Sequence, residues 1–236
     1  EGVSGGGFKY CAGLKKVELT DGFESVETSM FACCKELEEV ILPNSITSVK
    51  ENAFRGCSSL QSITLPEGVK YIDSAAFYRC SSLQSVTLPK GLEKIDRNAF
   101  RECYSLKSIT LPEGLQEIGS GAFYTCPSLE SVVLPEGLQS IGSCVFSDCS
   151  SLKELTLPST ITKASRNSLR SCGNLKRITF TSPNPNATPY SKANWRNLLR
   201  NLRKDTVFTN GCLRYREDMT DGTPSITIID YVGSDK

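Results

Sequence analysis

The chain has 236 residues, 39% of them hydrophobic, and its 27 basic and 26 acidic residues leave a formal net charge of +1. This length suits one large or two small folded domains, and the charge balance gives no global field to draw the chain to nucleic acid or to an anionic membrane. No stretch approaches the roughly 20 apolar residues of a membrane-spanning helix. Glu1 to Phe8 also lacks the basic leader and apolar run of a signal peptide. Histidine is absent, which removes the side chain most used in acid–base catalysis and transition-metal binding.

A period of 23 residues runs through most of the chain. It is marked by cysteines at positions Cys11, Cys34, Cys57, Cys80, Cys103, Cys126, Cys149 and Cys172, and a leucine follows each of them three residues later. Regularity of this kind is typical of a repeat array in which each copy is one small structural unit. We therefore expect about eight stacked copies, the first of them truncated, over residues 1–181.

Each copy begins with a strand pattern that ends in a turn. In the third copy Leu60, Ile63 and Leu65 are separated by polar residues, and this alternation predicts a half-buried strand. The sequence Pro66-Glu67-Gly68 follows, and proline with glycine two positions later is typical of a tight turn. The strand is therefore predicted to end at the proline.

Apolar residues with helical spacing follow the turn. Ile72, Ala76, Phe77 and Cys80 are spaced as one face of a short helix or 3₁₀ turn. A single copy cannot bury such a face alone, so neighbouring copies must stack into one core. The fold class predicted is an α/β repeat solenoid: a right-handed superhelix with a parallel concave sheet and short helical or 3₁₀ segments on the convex side.

The repeated motif Leu-x-x-Val-x-Leu-Pro, followed by Ala-Phe-x-x-Cys, resembles the BspA-like leucine-rich repeats of bacterial surface proteins, from Phe8 to about Thr181. The resemblance implies a secreted or cell-surface location, a role in adhesion or ligand binding, and no catalytic residues. The terminal copies depart from the motif: Thr20 and Thr181 replace the proline, and Ser168-Leu169 replaces Ala-Phe. Degenerate terminal copies are expected of caps.

The periodic cysteines are compatible with packing residues, disulfides or metal ligands. Metal sites need clustered ligands, and Cys33-Cys34 is the only close pair. Equivalent side chains in a stack point in parallel, which holds their Cβ atoms beyond the usual disulfide range. We therefore expect buried, reduced thiols. Cys33, Cys144 and Cys212 lie outside the period, and without a histidine to activate them a nucleophilic role is not expected.

A different segment, residues 182–236, is predicted to cap the array. Prolines precede a helix predicted at about 191–204, whose apolar face includes Trp195 and Leu199. Its basic residues are either a patch for an acidic partner or an ordinary solvated face; they are Lys192, Arg196, Arg200, Arg203 and Lys204. A strand is predicted from Ser225 to Val232.

A second column of side chains follows the phenylalanines of the repeat. Arg55, Tyr78, Arg101 and Tyr124 alternate at the 23-residue period. Stacked copies would place each guanidinium beside a phenol ring, in reach of a cation–π contact. The alternative is a set of four independent surface side chains.

The residues between the strand leucines point away from the core and are the candidate binding surface. In the centre of the array they are small and hydroxylated, which suits hydrogen bonding to a glycan or an extended polypeptide. The candidate site residues are Ser62, Thr64, Ser85, Thr87, Ser108, Thr110, Ser131 and Thr156. The predicted function is a non-enzymatic binding or adhesion scaffold with a protein or glycan partner, and the alternative is a structural spacer or stalk. No cofactor, metal, nucleic acid or membrane insertion is expected.

Overall fold

The computed structural model describes residues 6–158, 160–165 and 167–180, together with the strand backbones of 207–209, 213–220 and 223–231. Parallel strands 23 residues apart stack side by side, as in the pairing of Ser62 with Ser85 and of Ile63 with Val86. The chain is therefore a parallel solenoid in which one 23-residue copy forms one rung. This confirms the repeat architecture predicted from the period.

The strands predicted from the leucine pattern form the first side of each rung, which we call the first sheet. Its strands are β1 (Lys16–Glu18), β3 (Glu39–Ile41), β5 (Ser62–Thr64), β7 (Ser85–Thr87), β10 (Ser131–Val133), β12 (Glu154–Leu157) and β14 (Arg177–Phe180). A further strand that the leucine pattern did not predict, β15 (Val207–Thr209), extends this sheet by pairing with β14. Strand pairing divides them into β1–β3, β5–β7 and β10–β12–β14–β15. The rung between β7 and β10 contributes only an isolated bridge from Ser108 to Ser131.

A second parallel sheet, continuous over seven strands, follows the proline turn of each rung. Its two-residue strands are β2 (Ser25–Val26), β4 (Ser48–Val49), β6 (Tyr71–Ile72), β8 (Lys94–Ile95), β9 (Glu117–Ile118), β11 (Ser140–Ile141) and β13 (Lys163–Ala164). Two further strands, β16 (Leu213–Thr220) and β17 (Thr223–Tyr231), pair antiparallel. The strand predicted near Ser225 is thus found as β17, whereas the helix predicted at about 191–204 lies outside the described residues.

The third side of the rung, which we call the turn face, corrects the sequence-based prediction. The described residues contain neither α-helix nor 3₁₀-helix, although Ala76, Phe77 and Cys80 are buried as the helical spacing predicted. The reason is the backbone: Ala75 and Arg79 have φ of 55° and 61°. Residues in the left-handed region interrupt a right-handed helix within each rung.

Hydrogen bonds on the turn face alternate between the rung and its neighbour. The Ala76 and Tyr78 amides donate within the rung, to Asp73 and Ala75 carbonyls at 3.3 and 3.0 Å. The Ala75 and Phe77 amides donate to carbonyls of the next rung, at 2.9 and 2.8 Å. Backbone groups that a helix would satisfy internally are thus shared between rungs, so the turn face also holds the stack together.

The core is one continuous column between the three sides of the rungs. Its centre is a stack of phenylalanine rings whose centroids lie 5.2 to 5.5 Å apart, formed by Phe8, Phe31, Phe54, Phe77, Phe100, Phe123 and Phe146. The first and last members differ in exposure, since Phe8 is 38% exposed and Phe146 is buried. Leu169 occupies the next position of the column and is buried without adding a ring.

Seven buried cysteines line the column beside the phenylalanines, and the ten cysteines that the structure describes are free thiols. Burial is confirmed for seven of the periodic ones, which are Cys34, Cys57, Cys80, Cys103, Cys126, Cys149 and Cys172. It is wrong for Cys11, which is exposed. Each buried thiol donates a hydrogen bond to a phenylalanine carbonyl 26 residues earlier, such as Cys80 to Phe54 at 3.1 Å.

Candidate functional site

The first sheet presents the predicted site residues on its outward face. Its strands alternate buried and exposed side chains, so that Ile63 is buried between exposed Ser62 and Thr64. The predicted residues that are exposed are Ser62, Thr64, Ser85, Thr87, Ser108, Thr110 and Ser131, whereas Thr156 is half-buried. We call these eight residues the hydroxyl face.

Strand register decides which of these residues are neighbours. Ser62 lies beside Ser85, and Thr64 lies beside Thr87. Ser108 is bridged to Ser131, and Thr156 pairs with Val133 rather than with another predicted site residue. The hydroxyl face therefore has two paired regions, one on β5–β7 and one that begins at Ser108.

Both ends of the hydroxyl face differ in chemistry from its centre. Lys16 and Glu39 form an ion pair at 3.0 Å before it, and Arg177 and Glu154 form one at 3.4 Å after it. Exposed apolar side chains also flank the central threonines, with Ile41 39% and Val133 61% exposed. The charges compensate each other in pairs, which leaves the centre uncharged and bordered by apolar groups.

The turn face carries a second cluster, formed around Tyr78. The Arg55 and Arg101 guanidiniums lie 5.2 and 5.7 Å from the centre of the Tyr78 ring, and Arg101 also lies 4.7 Å from that of Tyr124. These contacts confirm the predicted alternation of guanidinium and phenol. Arg79, which the sequence did not indicate, is a third cation 5.1 Å from the Tyr78 ring.

Glu102 holds this cluster together. Its carboxylate accepts hydrogen bonds from Arg79 Nε at 2.8 Å and from Arg101 Nε at 3.2 Å, and from the Tyr78 and Tyr104 hydroxyls at 3.2 Å each. The residue is only 9% exposed. We call Arg55, Tyr78, Arg79, Arg101, Glu102, Tyr104 and Tyr124 the Arg–Tyr cluster. Sequence reasoning missed Glu102 because its position in the other rungs holds unrelated residues such as Gly56 and Thr125.

Opposing effects set the pKa values in the cluster. Burial raises the pKa of Glu102. The hydrogen bond and positive charge of Arg79, together with the hydrogen bonds of Arg101 and Tyr104, lower it by more than burial raises it, so the pKa lies below the ordinary value. Burial and then the Glu102 charge raise the pKa of Tyr104. A hydrogen bond to Asp148 and the charge of that carboxylate raise the pKa of Tyr124. At neutral pH the cluster therefore combines ionised Glu102 with protonated Tyr104 and Tyr124.

The thiols are suited to packing rather than to chemistry. Burial raises the pKa of Cys80, Cys126 and Cys172 to about 12, so these side chains stay protonated at neutral pH. Among the residues that the structure describes, no three His, Cys, Asp or Glu side chains converge as metal ligands would. Within the same residues, no helix is long and apolar enough to span a bilayer. Cys33 and Cys144 are half-buried and free, and Cys212 lies outside the described residues.

A family model described as the BspA type leucine rich repeat region, with six copies, matches residues 3–103 and 70–198. The chain belongs to this family. The resemblance found in the repeat motif is thereby confirmed. Leucine-rich-repeat solenoids of this family are generally interaction or adhesion scaffolds and typically lack enzymatic activity.

Solved structures of bacterial leucine-rich-repeat proteins are similar to this one. The protein from T. pallidum is 29% identical, with a TM-score of 0.58, and the match covers 83% of this chain and 87% of that one. A protein from Bacteroides ovatus is 21% identical, with a TM-score of 0.48 and coverage of 76% and 58%. A leucine rich cell surface protein from Faecalibacterium prausnitzii is 26% identical, with a TM-score of 0.41 and coverage of 80% and 64%.

The chain thus spans less than two thirds of the B. ovatus and F. prausnitzii proteins. No curated protein matches it.

Proposed function

We propose that this solenoid is a non-enzymatic binding scaffold that presents the hydroxyl face to a protein or glycan partner. One observation carries the proposal: exposed hydroxyls are arranged in register on paired strands, as in the pairing of Ser62 with Ser85 and of Thr64 with Thr87. Hydroxyls both donate and accept hydrogen bonds, and short side chains lose little freedom when binding orders them. A secreted or cell-surface location, which the family resemblance implies, belongs to the same proposal.

The chemistry of the face favours an extended, largely uncharged partner. The central positions hold serine and threonine, and the neighbouring ions are already paired with each other, as Lys16 is with Glu39. The exposed methyl groups of Ile41 and Val133 add apolar contact at both borders. Because few unpaired charges take part, binding to this face should change little with moderate salt.

The proposal is tested with the double variant Thr87→Lys/Thr110→Lys. Both side chains are exposed, so the array should stay folded, while two long cations obstruct the centre of the face. For a ligand found on a glycan array or in a screen of host proteins, we expect at least about a tenfold loss of affinity, or about 1.4 kcal/mol. Affinity is measured by titration calorimetry.

The matched control is Gln116→Lys/Gln139→Lys. These two exposed residues lie in neighbouring rungs beside the second sheet, so they add the same charge away from the hydroxyl face. The control should bind as the wild type does. Equal binding by both variants would place the site elsewhere, and a chain that binds no ligand in either screen would support the spacer alternative.

A further inference from the structure

Three guanidiniums converge on one tyrosine ring of the turn face. Arg55, Arg79 and Arg101 lie 5.2, 5.1 and 5.7 Å from the centre of the Tyr78 ring. Like charges this close repel one another, and the buried Glu102 carboxylate compensates only part of that charge. Adding Asp148, which bonds Tyr124, still leaves an excess of positive charge.

The guanidiniums are held in place with donors to spare. Arg79 and Arg101 bond Glu102 through Nε, at 2.8 and 3.2 Å. Within the part of the chain that the structure describes, the terminal nitrogens of Arg55, Arg79 and Arg101 donate no hydrogen bond to a carboxylate. The Arg79 side chain is 59% exposed and that of Arg101 is 37% exposed. Planar forks fixed in this way present ready donors to oxyanions in solution.

We propose that the Arg–Tyr cluster binds the anionic groups of a sulfated or carboxylated polysaccharide. Guanidinium forks pair bidentately with sulfate and carboxylate oxygens, and forks already ordered by Tyr78 and Glu102 lose little entropy on binding. Tyr104 is 43% exposed beside them and offers an aromatic surface to a sugar ring. Arginine and tyrosine are also the residues that most often dominate binding interfaces.

The spacing of the cluster favours a polymer over a compact anion. Arg55 and Arg101 occupy the same position two rungs apart, which corresponds to about 10 Å at the usual strand spacing. Arginines repeated along the stack in this way match a polysaccharide, which carries anionic groups at regular intervals. A glutamate-rich peptide carries anions too, but it brings no sugar ring whose C–H face could pack on Tyr104.

This surface is separate from the hydroxyl face, because it lies on the turn face rather than on the first sheet. The two proposals also differ in salt dependence. Polyanion binding to arginine falls steeply as salt rises, since exposed charges are screened, whereas binding to the uncharged hydroxyl face does not. The variant Thr87→Lys/Thr110→Lys should therefore leave polyanion binding intact, and each proposal fails independently of the other.

The test measures binding of the full chain to dextran sulfate, with unsulfated dextran as the polymer control. We expect binding to dextran sulfate alone, and the variant Arg55→Gln/Arg101→Gln should weaken it by about tenfold or more, since it removes two charge-assisted donors. The control Lys107→Gln/Lys176→Gln removes the same charge from exposed sites on other parts of the rungs. It should weaken binding by no more than about twofold, as for exposed charges outside a site.

A second variant, Arg55→Lys/Arg101→Lys, keeps both charges but removes the planar forks, and it decides the outcome if the glutamine variant does not fold. It should weaken binding by about threefold or more, because lysine binds as a point charge. Absence of binding to dextran sulfate would overturn the proposal. Equal losses of affinity in Arg55→Gln/Arg101→Gln and in the control Lys107→Gln/Lys176→Gln would also overturn it. Stronger binding to poly-glutamate than to dextran sulfate, lost in the same arginine variants, would assign the surface to an acidic peptide instead.

Discussion

Glu102 is the residue at which local structure and electrostatics are most closely coupled. Its backbone is left-handed, with φ of 60°, and its amide donates to the Tyr124 carbonyl of the next rung at 2.9 Å. The side chain meanwhile accepts four hydrogen bonds, two of them from arginines. A carboxylate that has left water this far is stable only while those donors remain.

Replacing Glu102 with glutamine should destabilise the protein by about 1–3 kcal/mol at pH 7, because charge-assisted bonds are lost at a buried site. The folded-state pKa of Glu102 is lowered from an ordinary value of 4.5. Its ionisation therefore stabilises the fold fully above that ordinary value, and the contribution disappears as pH falls through the lower folded value. Urea unfolding at pH 7 and pH 3 should show that the difference in free energy of unfolding between wild type and Glu102→Gln is smaller at pH 3.

The control for this prediction is Glu113→Gln, an exposed carboxylate whose replacement should change stability by no more than about 0.5 kcal/mol at either pH. A gap between wild type and Glu102→Gln that stayed constant from pH 7 to pH 3 would show that the charge of Glu102 contributes nothing.

For the cysteines, the sequence predicted burial but not the hydrogen bonds of the thiols. A fixed phase among apolar positions was enough to predict that Cys57 and Cys80 are buried. It was not enough to predict their bonds to the Phe31 and Phe54 carbonyls, at 3.1 Å each, because a thiol is a weak donor and its acceptor lies 26 residues away. Cys11, which is exposed, shows the same limit, because burial depends on what packs around a cysteine and not on the cysteine itself.

At the scale of elements, the strands were predictable and the turn face was not. Alternation of Leu60, Ile63 and Leu65 identifies β5 directly. Spacings of three and four residues identify residues that are buried on one side of the chain. A helix produces such spacings, but the turns of this solenoid produce them as well. Asn52, Asn98 and Gly121 share one phase of the period and all have positive φ, which is the sequence signal against a helix. Ser29, Ala75 and Cys144 at the same phase obscure that signal.

Ala75 gives a prediction about this left-handed position. Its φ is 55°, a conformation that costs an ordinary residue about 1–2 kcal/mol but costs glycine little. Ala75→Gly should therefore stabilise the protein by about 0.5–1 kcal/mol, after allowing for the greater freedom of glycine in the unfolded chain. The measurement is the midpoint of urea unfolding at constant m-value.

The neighbouring substitution Ala76→Gly is the control. Ala76 is fully buried and does not have positive φ, so glycine there only removes packing and adds freedom to the unfolded chain. It should lower stability by about 0.5–1 kcal/mol. If both substitutions lowered stability equally, strain at Ala75 would not be the cause.

At the scale of the whole molecule, the repeat converts local rules into long columns. The sequence predicted the exposed side chains of the hydroxyl face except for half-buried Thr156, because side-chain direction along a strand follows from alternation. It did not predict the break in strand pairing between β7 and Ser108, because the repeat motif is intact there. The same holds for the Arg–Tyr cluster: Arg55 and Arg101 were visible as periodic partners of the tyrosines, but Glu102 was not.

The seven buried thiols form one such column and make stability sensitive to alkaline pH. The ordinary pKa of the thiol is 9.0, and burial raises it to about 12 for Cys80, Cys126 and Cys172. Above pH 9 the unfolded chain releases these protons while the folded chain retains them. Stability is therefore fully present below pH 9 and is lost as pH rises toward 12, by about 1.4 kcal/mol per pH unit for each thiol.

Substitution of single thiols isolates this effect and measures the cooperativity of the array. Lysines and tyrosines titrate in the same range, but they do so equally in wild type and in Cys126→Ser. The stability gap between these two proteins, from urea unfolding at pH 8, 9.5 and 10.5, should therefore narrow by about 1.4 kcal/mol per pH unit above pH 9. Cys11→Ser, at an exposed position, is the control for replacing a thiol that is not buried. A solenoid of nearest-neighbour contacts unfolds either as one unit or rung by rung. If the stability gap to wild type narrows equally for Cys80→Ser and Cys126→Ser, their rungs unfold together. If the stabilities of wild type and variants change in parallel with pH, the thiols do not titrate on unfolding.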